Sequence, residues 1–462
     1  MINDKAQLKR TLISETISRV DKKVLINGWV RIRRDHGKLI FLDIRDRSGL
    51  VQVVVNPKVS KETHSLAQTF KPEFAVAIIG KVNKRPQGTI NKDLLTGEIE
   101  IEASEITILS EAESLPFDMG TEELHLELPT LLDYRSLTLR HPKIKEIFTV
   151  QAKLLEGFRK EAKALGCIEI VVPTIVASAT EGGAELFEVK YYDHSVYLTQ
   201  SPQLYKQIMV PVFERVWTIS HAYRAEPSVT TRHLSETTQL DCEFGFVDFE
   251  ELLDLLEKMA VSMFRYVEKT CPNLEKIALH KIPRLTLKVA QDVIYKEFGR
   301  DNRKEKDLTP QDEIDICKWA KEKHKSDLVT ITHFPTLAKP FYIMPDPKDP
   351  KYSLSYDLLF RGVEILSGGQ RIHDYNQLVK AIKERRMNTK SFDMYLMAFK
   401  YGMPPEGGFS FGLERITMKL LGLSNIREAS LFPRDMERVD ERFSKVRNDD
   451  KKSYQKNKKT FK

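Results

Sequence analysis

The chain of 462 residues, 41% hydrophobic and 30% charged, carries enough apolar material for about two to four domains, and its balance excludes a disordered or fibrous polymer. Its formal charge of +7 permits a polyanionic partner but does not establish one, since ordinary basic proteins carry as much. No apolar run approaches the ~18 residues of a membrane span, the start Met1-Ile2-Asn3-Asp4-Lys5 lacks a signal-peptide core, and the scattered Cys167, Cys242, Cys271 and Cys317 exclude a zinc ribbon or disulfide framework. A cytoplasmic protein without a membrane segment is expected.

Residues 1–108 alternate short apolar runs with turn signals. Runs at 24–32, 39–44, 50–55, 74–82 and 97–101 are separated by turns such as Asp35-His36-Gly37 and Ser48-Gly49. Five such strands suggest a small β-barrel of the OB type, although strand count does not distinguish it from another small β-domain. A polar, proline-marked stretch at 109–140 has the composition of a hinge. Ile144, Ile147, Phe148, Leu155, Phe158, Ala162 and Leu165 then recur at helical spacing; Gly166 ends that helix, and Ile168, Ile170 and Val172 alternate as a strand up to Pro173. Asp248 and Glu251 form a capping box for a leucine-rich helix over 249–267. Residues of about 270–330 suggest a charged helical insertion, and from 438 to 462 the chain is a basic tail expected to be disordered.

Three stretches of the segment 141–437 carry chemistry. Strand periodicity places Arg224 and Glu226 on one face, ahead of a loop with Arg232 and His233. The next strand alternates sharply: Thr237, Gln239, Asp241 and Glu243 share one face, and Thr238, Leu240, Cys242 and Phe244 the other. A solvent-facing hairpin explains such alternation poorly here, because the polar set is Arg, Glu, Gln and Asp rather than Lys and Thr. A second hairpin turns at Arg361-Gly362 and holds Glu364 ahead of Gly368-Gly369, which implies close approach of a ligand or metal; a lone surface glutamate in an edge strand is the alternative. Finally Gly407-Gly408-Phe409-Ser410-Phe411-Gly412 leads into a helix whose first turn holds Arg415, where the dipole also favours anions.

Together these stretches resemble the motifs of class II aminoacyl-tRNA synthetases, most specifically aspartyl-tRNA synthetases of the archaeal/eukaryotic-like type. Motif 1 resembles the helix and strand ending at Pro173, motif 2 resembles Tyr223-Arg224-Ala225-Glu226 with Thr231-Arg232-His233-Leu234, and motif 3 resembles Gly412-Leu413-Glu414-Arg415. Further matches are Ala179-Thr180-Glu181-Gly182-Gly183, Gln200-Ser201-Pro202-Gln203-Leu204-Tyr205-Lys206 and Gly369-Gln370-Arg371-Ile372-His373. The interval between Glu243 and Glu364 is too short for the large extra domain of the bacterial type.

The resemblance implies an α+β chain: an N-terminal five-stranded OB-type barrel that binds the anticodon, and a catalytic domain with a mixed, mainly antiparallel sheet flanked by helices. It implies ATP-dependent formation of aspartyl-adenylate and transfer to tRNA(Asp), with Mg²⁺, in a homodimer. Arg224 and Arg415 would be catalytic, holding the α- and γ-phosphates. Glu226, Arg232, His233, Leu234, Glu364, Gly412, Leu413 and Glu414 would complete the ATP site, and Glu364 and Ser367 would ligate Mg²⁺. Aspartate would meet Glu181, Gln203, Lys206, Arg224, Asp241, Ser367 and Arg371, with Lys206 and Arg371 as two cations for its side-chain carboxylate. Arg31, Phe41 and Gln52 would read the anticodon, although a core position for Phe41 is the competing reading. The alternatives are an enzyme charging both tRNA(Asp) and tRNA(Asn) with aspartate, an asparaginyl-tRNA synthetase, and a catalytically dead paralogue serving as an RNA-binding or regulatory protein; the last is disfavoured because the motif arginines and glutamates are all present.

Overall fold

A computed structural model describes residues 8–177, 185–227 and 230–443. The chain divides into two compact units, Met1–Leu126 and Glu127–Lys462. The first contains strands β1 (Lys23–His36), β2 (Leu39–Arg45), β3 (Leu50–Val55), β4 (Ala75–Lys84) and β5 (Ile99–Ser110), closed into a barrel in the order β1-β2-β3-β5-β4. Its pairs are antiparallel except β3–β5, which is parallel. Period-two alternation fills the interior with Ile26, Val30, Ile40, Leu42, Ile44, Val53, Val76 and Ile101. Closure leaves no open sheet edge in a domain this small.

Phe41 lies between the buried Ile40 and Leu42 and is therefore half-buried on the outer face, edge-on to His36 at 5.6 Å, rather than in the core. Gln52, also outward, donates to Glu100 at 3.1 Å. Arg31 sits where the β1–β2 register shifts between Val30 and Ile32.

The second unit adds β6 (Ile168–Glu169), β7 (Ile175–Val176), β8 (Glu188–Tyr191), β9 (His194–Leu198), β10 (Arg215–Tyr223), β11 (Glu236–Gly245), β12 (Arg284–Thr286), β13 (Leu328–Thr332), β14 (Ser355–Phe360), β15 (Val363–Gln370) and β16 (Glu406–Gly412). Eight of them form one sheet in the order β12-β13-β14-β15-β16-β11-β10-β6, antiparallel apart from its outermost pairs, β12–β13 and β10–β6. Helices Pro142–Ala164 and Phe249–Thr270 cover one face. The second starts at the expected Asp248/Glu251 capping box and sends Leu252, Leu256, Met259 and Met263 against Phe244, Phe409 and Phe411.

Several expectations change at this level. The 109–140 stretch contains helices Leu128–Asp133 and Arg135–Thr138, and buried Arg135 donates to the carbonyls of Glu428, Ser430 and Leu431, so 127–140 packs within the second unit. The 270–330 segment is not a solvated helical insertion. It supplies two strands of the main sheet, β12 and β13, and its helices Leu287–Phe298 and Pro310–His324 cover them around Ile316, Cys317, Val329 and Ile331. The strand before Pro173 is only two residues long and leaves Val171 97% exposed. Among the described residues, no helix is long and apolar enough to cross a membrane.

Candidate active site

The sheet face away from the helix Phe249–Thr270 carries a cleft, and strand alternation decides what lines it. On β11 the core takes Leu240, Cys242 and Phe244, whereas Thr237 and Gln239 line the cleft and Asp241 and Glu243 lie under its floor. On β16 Phe409 and Phe411 face the core, leaving Glu406, Gly408, Ser410 and Gly412 on the opposite side. Ladder register then aligns Asp357, Ser367, Ser410 and Asp241 in a row across β14, β15, β16 and β11.

At one end is a buried ionic cluster. Lys206, on the helix Gln203–Ile208, is 1% exposed; its Nζ lies 2.9 Å from Asp241 Oδ1 and 3.0 Å from Glu243 Oε2. Arg371 Nε donates to Glu243 Oε1 at 2.7 Å, while its Nη2 reaches the Gly408 carbonyl at 2.9 Å and Gln203 Oε1 at 3.3 Å. Glu243 therefore bridges both cations. Burial alone would push its pKa up, but Arg371 and Lys206 prevail and hold it below the ordinary range. Burial likewise pulls the Lys206 ammonium down, and Asp241 and Glu243 more than restore it. Asp241 is raised by burial, with Lys206 opposing.

The two cations expected for a substrate carboxylate are thus also paired with carboxylates of the protein. Four buried charges, two of each sign, are paired, because uncompensated ions at this depth cost several kcal/mol each. Gly408 makes the pairing possible: a Cβ there would collide with the Cys242 carbonyl and the Glu243 carboxylate.

At the other end the groups are more exposed. Strand β10 ends at Tyr223, so Arg224 and Glu226 lie in the following loop rather than on a strand face, 3.7 Å apart. His233 Nε2 lies 3.7 Å from Glu226, and its Nδ1 lies 2.5 Å from Thr230 Oγ1. Burial lowers the His233 pKa, against the pull of Glu226. Arg232 points to Glu313 at 2.7 Å and donates to the Gly362 carbonyl at 3.2 Å. Burial, with Glu364 nearby, pushes Glu313 up to about 7. Gly412 caps the helix Leu413–Leu420, and Arg415 in its first turn donates to the Glu364 carbonyl at 3.1 Å.

Of the hydrophobic and acidic motif residues, Leu413 turns away from the cleft, whereas Leu234 and Glu414 reach its wall. Leu413 belongs to the main core, and Leu234, though at the cleft wall, packs with Val363, Met418 and Ile426. Glu414 accepts from the Thr238 amide through both carboxylate oxygens, and burial raises its pKa to about 7.

Glu364 and Ser367 both line the cleft on β15. Asp357, which the sequence reading did not single out, pairs with Ser367 in register and takes Lys339 at 2.7 Å. Carboxylate, hydroxyl and carboxylate are hard oxygen donors that suit Mg²⁺ rather than zinc or copper. Asp357 and Glu364 are seven positions apart on opposite arms of one hairpin, and that spacing was the available signal. Glu243 belongs to the polar face that the alternation of its strand marks, without a role assigned to it there. Glu181 lies outside the described residues.

Residues 127–436 match the family described as tRNA synthetases class II (D, K and N), and residues 24–109 match the OB-fold nucleic acid binding domain. The chain is 39% identical over 447 residues to the aspartate–tRNA(Asp/Asn) ligase of Deinococcus radiodurans, covering 94% of this chain and 99% of that one. It is 39% identical over 429 residues to the aspartate–tRNA(Asp) ligase of Pyrococcus horikoshii, covering 90% and 96%. Among solved structures, the asparaginyl-tRNA synthetase of Pyrococcus horikoshii with asparaginyl-adenylate superposes with a TM-score of 0.85 at 30% identity, covering 94% of this chain and all of that one. The aspartyl-tRNA synthetase of Entamoeba histolytica gives 0.83 at 30%, covering 94% and 93%. With a barrel and a catalytic sheet that both match along almost their whole length, the chain belongs to the class II aminoacyl-tRNA synthetases, in the aspartate–tRNA ligase family.

Proposed function

We propose that the protein activates L-aspartate with ATP and transfers it to tRNA(Asp). The observation that carries this reading is the buried Lys206–Glu243–Arg371 bridge, which fixes two cationic donors at the base of one pocket. Lys206 and Arg371 offer an incoming side-chain carboxylate two charged donors. An asparagine amide would set its own N–H donors against them, a mismatch of about 1–3 kcal/mol.

In the first step an aspartate α-carboxylate oxygen attacks the α-phosphorus of ATP, and the bond to the pyrophosphate oxygen breaks. In the second a hydroxyl of the tRNA's terminal adenosine attacks the activated carbonyl, and AMP leaves. Such steps depend on positioning and cations more than on a protein acid or base. Arg224 holds the α-phosphate and the reacting carboxylate, and Arg415 holds the γ-phosphate. Arg232, released from Glu313, closes with His233 over the nucleotide, and Glu226 accepts from the adenine amine. Asp241, Gln203 and Glu181 receive the substrate ammonium group. Glu364, Ser367 and Asp357 would hold Mg²⁺, which supplies charge neutralisation at the phosphates.

On the barrel, outward Phe41 stacks an anticodon base, worth ~1–3 kcal/mol, while Gln52 and Arg31 offer hydrogen bonds. Exposed Ile168, Val171 and Ile175 beside the edge strand β6 supply the self-complementary surface of a C₂ dimer. We place the enzyme in the cytoplasm, with its tRNA. Because several relatives are named for both tRNA(Asp) and tRNA(Asn), tRNA(Asn) is the second acceptor to test. Purified tRNA(Asp) and tRNA(Asn) are charged with labelled aspartate: label on tRNA(Asp) is expected, label on both identifies the broader enzyme, and label on neither refutes the reading.

A further inference from the structure

Behind the Lys206–Glu243–Arg371 bridge lies a second layer of buried polar groups. Glu406 and Gln207 are fully buried and Tyr395 is 2% exposed. The Tyr395 hydroxyl donates to Gln207 Oε1 at 3.0 Å, and Gln207 Nε2 donates to Glu406 Oε1 at 2.6 Å. The other carboxylate oxygen, Glu406 Oε2, meets no donor among the described residues; β11–β16 register sets Glu243 opposite Gly408, two positions along the same face from Glu406, so the two carboxylates are diagonal neighbours.

Two carboxylates facing each other away from water share a proton. The direction of the chain says which one carries it. Both Glu243 oxygens are engaged by cations, Lys206 on Oε2 and Arg371 on Oε1, whereas Glu406 has only a neutral amide on Oε1. Glu406 Oε2 is therefore the protonated atom, and burial pushes its pKa well above the ordinary carboxylate range. With that proton in place, Asp241 and Glu243 balance Lys206 and Arg371; without it, the pocket floor would carry an excess negative charge against the substrate carboxylate.

We propose that Glu406 is a positioning residue for aspartate recognition: it donates a hydrogen bond to Glu243 and so holds that carboxylate where it bridges Lys206 and Arg371. Gln207 and Tyr395 orient it. The inference rests on the aspartate reading above and adds to it the group that fixes the pocket's charge. Glutamine reproduces the arrangement, since its carbonyl accepts from Gln207 and its amide donates to Glu243. Alanine removes both bonds.

The test is steady-state pyrophosphate exchange by the full chain, with aspartate and ATP varied separately. Glu406→Ala is expected to raise the aspartate KM about tenfold, equivalent to ~1.4 kcal/mol of binding, and to leave the ATP KM unchanged. Glu406→Gln is expected to keep the aspartate KM within about threefold of wild type, as the retained hydrogen bonds require. An unchanged aspartate KM in Glu406→Ala, equal impairment in both variants, or a parallel rise in the ATP KM overturns the proposal. Should Glu406→Ala not fold, Gln207→Leu decides: a selective rise in the aspartate KM supports the proposal and an unchanged one refutes it. A wild-type chain that exchanges only with another amino acid refutes the aspartate reading instead, and this inference with it.

Discussion

Replacing Lys206 by methionine keeps the unbranched stem, one atom shorter, and removes its charge. In the wild type the ammonium is 1% exposed and lies 2.9 and 3.0 Å from two carboxylates. After substitution Glu243 keeps Arg371, but Asp241 loses the cation that balanced it. Removing one partner of a buried pair costs about 3–5 kcal/mol. Asp241, already raised by burial, limits that cost by taking up a proton. The substrate separately loses a charge-assisted hydrogen bond worth about 1.5–3 kcal/mol. The lost substrate contact predicts a fall of about 10–10² in kcat/KM for aspartate, while the unpaired carboxylate shows as lost stability. Methionine offers no partner to an amide, so asparagine gains nothing. The assay is aspartate-dependent pyrophosphate exchange at saturating ATP, run in parallel with asparagine. Unchanged aspartate exchange in a folded Lys206→Met chain would refute the assignment of this pocket.

Three further outcomes are expected. Gly408→Ala forces β16 away from β11, and a displacement of about 1 Å in the Glu243 bridge should cost roughly a hundredfold in aspartate kcat/KM; wild-type kinetics would show that the close approach is not needed. Light scattering should give twice the chain mass, and Val171→Asp, placing a charge at a 97% exposed apolar site, should shift it toward the monomer; a monomeric wild type contradicts the interface. Glu414 has its pKa raised by burial from 4.5 to about 7. Such a group stabilises the fold below its unfolded pKa and loses that contribution as pH rises through about 7, by up to ~3 kcal/mol. Urea denaturation at pH 5 and pH 8 should therefore show a smaller pH difference for Glu414→Gln than for wild type; identical differences would place the ionisation elsewhere.

How far the sequence reveals this molecule depends on what each feature needs. The barrel strands and β11 were legible because one-sided burial imposes period-two alternation, and the helix after Asp248 because its cap and its leucine stripe agree. The strand Leu328–Thr332 was hidden, since all five residues are buried and leave no alternation to read among charged neighbours. Arg224 and Glu226 were assigned the right neighbourhood on the wrong backbone, because nothing local marks the end of β10 at Tyr223. Lys206 and Arg371 were identified, but their pairing with Glu243 spans 37 and 128 positions of chain and follows from strand register. Asp357 and Glu406 gain meaning only from that register, which brings each beside a partner on a neighbouring strand.

The measurement that bears most directly on the central claim is amino-acid-dependent pyrophosphate exchange by the wild-type chain, with aspartate and asparagine as competing substrates. The paired cations at Lys206 and Arg371 predict exchange with aspartate that exceeds exchange with asparagine by about five- to 150-fold in kcat/KM, as a buried donor–donor mismatch of about 1–3 kcal/mol requires. Equal rates, or faster exchange with asparagine, would contradict the account.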